Sequence, residues 1–255
     1  MRFASLGSGS QGNALVVEAG GTRLLLDCGF GLAATVTRLA RLGLVPEDLA
    51  GIVVTHEHDD HIGGVARLAR RHGIPVWLTP GTLAGFEALF AGVAHVSMIR
   101  NYEAFAIGDV QVQPFPVPHD AREPAQYVFG DGASRLGVLT DVGCSTRHIE
   151  AMLSGCDALV LECNHDAEML RTSSYPQKLR ERIAGRFGHL DNGAAADLLR
   201  SLDNCKLKHL VAAHLSQENN HPDLARAALS AVLNCAPEWV AIADQDEGLP
   251  WRQID

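Results

Sequence analysis

The chain has 255 residues, 47% of them hydrophobic and 20% charged, which is enough to bury a sizeable core. A formal charge of −9, with histidines neutral, argues against indiscriminate binding to nucleic acid, which draws on many Lys and Arg contacts to phosphate, and leaves open a polyanion held locally. No run approaches the ~18 apolar residues needed to cross a membrane, Met1 to Ser10 do not read as a signal peptide, and six cysteines without a C-x-x-C pair read as buried, reduced thiols, so a soluble cytoplasmic protein is expected.

Residues 3–30 read as strands around two turns. The small-residue loop Leu6-Gly7-Ser8-Gly9-Ser10-Gln11-Gly12-Asn13 could cradle a phosphate through backbone N–H groups or be a plain turn. Gly20-Gly21, between Val16-Val17-Glu18 and Thr22 to Leu26, is a hairpin signal. Asp27 ends the last of these strands, where it could accept a hydrogen bond from a ligand histidine or merely cap a turn. Residues 32–43 read as a helix with Leu32, Val36, Leu39 and Ala40 on one face, and Pro46 opens a short turn.

Ile52-Val53-Val54, a β-branched run suited to a buried strand, leads into Thr55-His56-Glu57-His58-Asp59-Asp60-His61. Gly63-Gly64 follows, then Val65, Leu68 and Ala69 at helical spacing, to about His72-Gly73. The polar cluster therefore sits in a strand-to-helix turn, where α/β folds place chemistry. His56 and His58, two apart, point the same way from an extended strand end. Asp60 and His61 enter the next helical turn and face a neighbouring point, so one loop can serve two metal ions. A solvated polar loop is the rival, but packing gives no use for so many imidazoles at these offsets.

Residues 75–78 read as a strand, 81–90 as a helix, and His72 and His95 as ordinary surface residues. Strands at 105–117, turning at Gly108-Asp109, run into Pro116-Val117-Pro118-His119-Asp120-Ala121, where the prolines fix an extended loop. His119 is the expected third ligand of the first metal. A hairpin through Asp131-Gly132 ends in Thr140-Asp141-Val142-Gly143, and an Asp there can bridge two cations. After a short helix at 149–155, the apolar strand 158–161 ends in Glu162-Cys163-Asn164-His165-Asp166, which also faces the site. Cys163 could be a ligand but reads better as a buried small residue.

Residues 167–190 read as helical, with Lys178, Arg180, Arg182 and Arg186, and end in Gly188-His189-Leu190-Asp191-Asn192. Those bases, Arg182 among them, could contact a phosphate chain or form a solvated face. Asp191 or Asn192 caps a helix over 194–202. Strand 210–213 ends at His214, and a helix at 222–234 and a closing strand within 239–254 complete the chain. Two strand-and-helix halves, roughly 1–120 and 121–255, make an α/β (α+β) chain of one domain, 1–255, folded as an αββα sandwich.

His56, His58, Asp60 and His61, then His119, Asp141 and His214, in that order, resemble the binuclear metal pattern of the metallo-β-lactamase fold superfamily. The resemblance implies that His56, His58 and His119 hold one metal, that Asp60, His61 and His214 hold the other, and that Asp141 bridges them. Ser8 to Asn13, Pro118-His119-Asp120-Ala121, Glu162 to Asp166, Tyr175-Pro176, Gly188 to Asn192 and His214 to Asn220 look like the YycJ (WalJ) subfamily, bacterial nucleases acting as 5′ exonucleases on DNA. Asp191, where Ser is expected, and Cys163, where a small residue is expected, depart from that pattern. The short spans between Asp141, His165 and His214 leave no room for the second domain that RNase J-like enzymes insert.

The resemblance implies hydrolysis of phosphodiester bonds on two divalent ions, zinc or manganese, with iron compatible with an imidazole-and-carboxylate set. Asp60 would orient the nucleophile, His165 or His189 would bind the phosphate or protonate the leaving oxygen, and Glu162 would steady a ligand histidine. The implied partner is nucleic acid, DNA as substrate. The rivals are a small-molecule hydrolase (of a thioester, lactone or cyclic phosphodiester) on the same core, and a non-catalytic metal-binding protein.

Overall fold

The computed structural model describes residues 1–254. One sheet is formed by β1 (Arg2–Gly7), β2 (Ala14–Ala19), β3 (Thr22–Leu26), β4 (Gly51–Val53), β5 (Val76–Leu78) and β6 (Val96–Met98). The other is formed by β7 (Phe105–Ile107), β8 (Val110–Pro116), β9 (Ala125–Gly130), β10 (Arg135–Leu139), β11 (Ala158–Glu162), β12 (His209–Ala213) and β13 (Ala241–Ile242). The last strand, β14 (Leu249–Gln253), returns to pair antiparallel with β1 at the edge of the first sheet. The helices are α1 (Leu32–Arg41), α2 (Asp59–Ile62), α3 (Val65–His72), α4 (Pro80–Ala84), α5 (Glu87–Phe90), α6 (Arg147–Leu153), α7 (Ala167–Thr172), α8 (Gln177–Ile183), α9 (Asn192–Ser201) and α10 (Pro222–Leu233).

Each sheet is antiparallel where hairpins connect its strands, β1-β2-β3 and β7-β8-β9-β10, and parallel where helices intervene, β3 to β6 and β10 to β13. Parallel strands buried on both faces read as continuous apolar runs, as Ile52-Val53-Val54 and residues 158–161 do. Phe3, Val17, Leu24 and Val53 of one sheet pack against Tyr127, Phe129, Val138 and Val160 of the other. Two further apolar layers lie beneath the helices, one including Leu39, Val65 and Leu68, the other Ile149, Leu198 and Leu229. This is the expected αββα sandwich.

Several local expectations are corrected. The two halves divide between β6 and β7, before residue 105 rather than near 120, because β7 and β8 pair with β9, and β14 crosses back. The inner face of α1 carries Thr35 and Leu39, not Val36 and Ala40, which are exposed. Arg38 rotates the helix by stacking on Phe30, its guanidinium 4.1 Å from the ring centre, while its Nη1 donates to the Leu6 carbonyl at 2.7 Å. Residues 81–90 form two short helices, α4 and α5, and β6 is an unanticipated three-residue, largely exposed edge strand. The span 167–190 is helical only in α7 and α8, broken at Pro176 and ended by the loop holding Gly185 and Gly188. The closing segment is two strands in different sheets. Cys28, Cys156 and Cys163 are buried, but Cys205 is exposed. No helix is long and apolar enough to cross a membrane among the described residues.

Candidate metal centre

Six strands deliver the site's residues from their carboxyl ends: Asp27 after β3, the His56–His61 loop after β4, His119 after β8, Asp141 after β10, Glu162 closing β11 and His214 after β12. Asp27, Asp141 and His214 take left-handed backbone, with φ of 61°, 53° and 56°. Such conformations cost of order 1 kcal/mol each and persist where surrounding bonds over-determine them. Those bonds are present: Thr55 donates its backbone N–H and hydroxyl to Asp27, each at 2.8 Å, and the His214 N–H donates to Ser8 Oγ at 2.9 Å.

The seven predicted ligands converge in two groups. His56, His58 and His119 form the first, with His58 Nδ1 3.3 Å from His119 Nε2. Asp60, His61, Asp141 and His214 form the second. There His61 Nε2 lies 3.1 Å from Asp141 Oδ2, and His214 Nε2 lies 3.4 Å from Asp60 Oδ2. Asp141 Oδ1 stands between the groups, 3.9 Å from His119 Nε2 and 3.6 Å from His214 Nε2.

Four of the histidines are held by one nitrogen so that the other turns inward. Nδ1 of His61 meets Asp27 at 2.8 Å, that of His56 meets the Thr55 hydroxyl at 2.9 Å, that of His119 meets the Gly188 carbonyl at 3.1 Å and that of His214 meets Glu162 at 3.2 Å. Asp27 and Glu162 therefore stand where they can orient ligand histidines. Glu162 is completely buried and accepts from His189 Nδ1 at 2.7 Å, and from the backbone N–H groups of Val142 and Leu190.

Burial opposes every charge here, and neighbouring charges decide the outcome. Burial would depress His61, but Asp141, Asp27 and Asp60 hold it well above its ordinary value. Against burial, Asp141, Asp60 and Glu162 push His214 up to about 10. Burial, followed by the neighbouring His61, drives His56 well down, and burial also lowers His119. Asp60 and Asp141 stay below the usual carboxylate range despite burial, through His61 and His214, and Glu162 is drawn to about 2, against burial, chiefly by His189. A pocket negative enough to keep protons on buried imidazoles is one in which divalent cations could replace those protons. The chemistry of the donors fits the same exchange. Buried His56 Nε2 has no hydrogen-bond partner, and Asp141 Oδ2, though near His61, makes no hydrogen bond of acceptable geometry.

The other predicted residues divide. His189 joins the centre, grouped with Asp141, Glu162 and His214. His165, 2% exposed, stays outside both clusters. It lines an adjoining cleft of about 410 Å³ with Leu170, Arg180, Ala184 and Asp191. Cys163 is core, its thiol pushed well up by burial, and Asp191 caps α9 by accepting from the Ala194 N–H at 2.8 Å. Arg182 Nε pairs at 2.6 Å with Asp120, whose other oxygen lies 3.5 Å from His119 Nε2. The glycine-rich loop is a plain turn: the N–H groups of Ser8, Gly9, Gln11, Gly12 and Asn13 are all spent within the protein. Sequence reasoning missed Asn13, whose Nδ2 donates to Asp60 Oδ2 at 3.2 Å and lies 3.1 Å from His61 Nε2. An amide closing a glycine-rich loop just before a buried strand was the available signal. Asp120 was equally missed, although it directly follows His119.

Comparison with known proteins points to one family. A family model described as a β-lactamase superfamily domain matches residues 22–215. The chain is 37% identical to exodeoxyribonuclease YycJ of Bacillus anthracis over 91% of its own length and 89% of that protein's. It is 34% identical to exodeoxyribonuclease WalJ of Streptococcus pneumoniae, covering 89% and 86%. Among solved structures it resembles the metallo-β-lactamase fold protein YhfI of Bacillus subtilis, with a TM-score of 0.77 at 16% identity over 98% of each chain. It also resembles zinc-bound PqqB of Methylobacterium extorquens, with a TM-score of 0.74 at 19% identity over 99% and 100%.

Proposed function

The chain belongs to the β-lactamase superfamily, in its YycJ/WalJ branch, and from that premise we propose that it is a metal-dependent exodeoxyribonuclease removing nucleotides from the 5′ ends of DNA. The observation that carries the reading is the convergence of seven side chains able to bind metal from four strand ends around Asp141, in a chain whose likeness to named exodeoxyribonucleases runs over most of its length. His56, His58 and His119 would hold one cation and Asp60, His61 and His214 a second, with Asp141 shared. The donor set is imidazole and carboxylate without thiolate, which suits zinc or manganese and tolerates iron. Divalent cations bound there supply positive charge for a phosphate in the transition state and lower the pKa of a water toward ~7.

The chain's own groups account for orientation and protons. Asp60 Oδ2, held by Asn13, accepts a hydrogen bond from the attacking water and aims it. His189 is anchored through Nδ1 to Glu162, which supports its protonated form and leaves Nε2 to protonate the leaving oxygen. His165 contacts the strand from the adjoining cleft, and Arg182, at the rim, attracts its phosphates.

Degradation of 5′-labelled single-stranded DNA, duplex DNA and RNA, with manganese added and an Asp60→Ala/His61→Ala variant as control, tests the reading. Mononucleotides released from the 5′ end of DNA by the native protein alone are expected. Hydrolysis of a simple phosphodiester or thioester with every polymer intact would overturn it in favour of a small-molecule hydrolase.

A further inference from the structure

Phe187 is one of three exposed aromatic side chains, with Tyr102 and Trp239, and has 57% of its surface in solvent. Tyr102, also exposed, has a ring neighbour in His148 at 5.1 Å, but Phe187 has no aromatic or cationic ring partner among the described residues. Its place in the fold is nevertheless fixed. The Phe187 carbonyl accepts from the Asp120 N–H at 3.0 Å, the next carbonyl, Gly188, meets His119 Nδ1 at 3.1 Å, and the residue after that, His189, is bonded to Glu162. Three consecutive residues are therefore fastened to the metal centre, and the first presents a phenyl ring to solvent.

The surroundings are basic in a chain that is acidic overall. Lys178, Arg180, Arg182 and Arg186 fall within nine residues that hold one acid, Glu181. Arg182 is tied to Asp120 beside His58 and His119, and Arg186 makes no ion pair among the described residues. Gly143 is pressed against the backbone of Arg186 and Gly188, so the loop rests on the end of β10 that carries Asp141. An exposed ring on a fixed backbone, in a segment that also carries Arg182 and Arg186, suits a ligand with a flat apolar face and a phosphate, which is a nucleotide. Base–aromatic stacking is tolerant of sequence because every base has a π-face.

We propose that Phe187 is the platform on which a base near the end of a single DNA strand stacks, with Arg182 and Arg186 flanking it for the backbone phosphates. The proposal rests on the nuclease reading for the identity of the polymer. It makes Phe187 a positioning residue, which sets how the strand end enters the centre.

The test is a binding and cleavage comparison of the native protein with Phe187→Ala and Phe187→Trp, each with metal content measured. The binding probe is a fluorescent 5′-phosphorylated single-stranded oligodeoxynucleotide with cleavage-resistant phosphorothioate linkages, and its counterpart with abasic residues at the 5′ end. For the base-bearing probe Phe187→Ala is expected to raise Kd about 10-fold, and Phe187→Trp to leave it unchanged. The abasic probe should bind native and Phe187→Ala protein equally. Equal Kd values on the base-bearing probe, or the same loss on the abasic one, would overturn the stacking role, even where the native protein degrades unmodified DNA. Base-dependent binding through Phe187 without cleavage of unmodified DNA would instead keep the platform and overturn the nuclease reading.

Discussion

Asp27 makes no direct approach to the space between the two ligand groups, yet it decides what His61 can do there. Its carboxylate takes the Nδ1 side of the ring at 2.8 Å and is itself held by both hydrogen-bonding groups of Thr55. Partners of this kind fix ring orientation and raise ligand basicity, and their loss costs ~10–100-fold in metal affinity. Asp27→Asn keeps the shape and removes the charge, so it should weaken metal retention by about that factor while the fold survives. Metal content after dialysis against graded chelator measures this, and unchanged retention would refute it. The seven candidate ligands, which the structure brings together, were legible because their types and offsets have no packing use. Asn13 and Asp120 were not, because an amide or a carboxylate in a loop is unremarkable until its neighbours are known.

The first three strands are tied on one side by charge. Glu18 of β2 accepts from Arg2 of β1 and Arg23 of β3, both at 2.6 Å. Burial works against its carboxylate, but the two arginines outweigh it and hold Glu18 below its ordinary value. A group whose folded-state pKa is depressed adds stability that is present above its unfolded pKa and is lost as pH falls through the folded value. Glu18→Gln should therefore cost about 1 kcal/mol near neutral pH. The gap between native and variant should shrink as pH falls below ~4.3, the unfolded Glu value. Chemical denaturation at neutral and acid pH checks this; a gap that widens toward acid would contradict it. The periodicity that placed the strands was equally readable at this scale. The face of α1 was not, because Arg38, stacked on Phe30, also donates to the Asp246 carbonyl, a contact that no window of local sequence contains.

The two sheets meet through apolar side chains and through buried hydrogen bonds, the Ala125 N–H to the Thr55 carbonyl at 3.0 Å among them. Tyr127 of β9 is fully buried and donates its hydroxyl to the Val54 carbonyl, just before the His56–His61 loop, at 2.6 Å. Tyr127→Phe would leave that carbonyl unpaired in the core and should cost ~1–3 kcal/mol. Because the bond crosses from one sheet to the carboxyl end of β4 in the other, a small loosening of the metal loop should accompany it. Denaturant unfolding and metal retention read the two effects separately, and an unchanged midpoint would count against the link.

By itself the sequence determined the alternation of strands and helices, the residue types able to bind metal and the order in which they appear. Those are consequences of side-chain periodicity and of chemistry packed into a few adjacent positions. Only the tertiary structure decided where the halves divide, which way α1 faces, that five N–H groups of the Ser8–Asn13 loop are spent within the protein, and that His189 enters the centre while His165 lines its own cleft. These depend on which strand ends come to lie side by side and on pairings between distant residues such as Glu162 and His189, and local preference along the chain carries no record of such contacts.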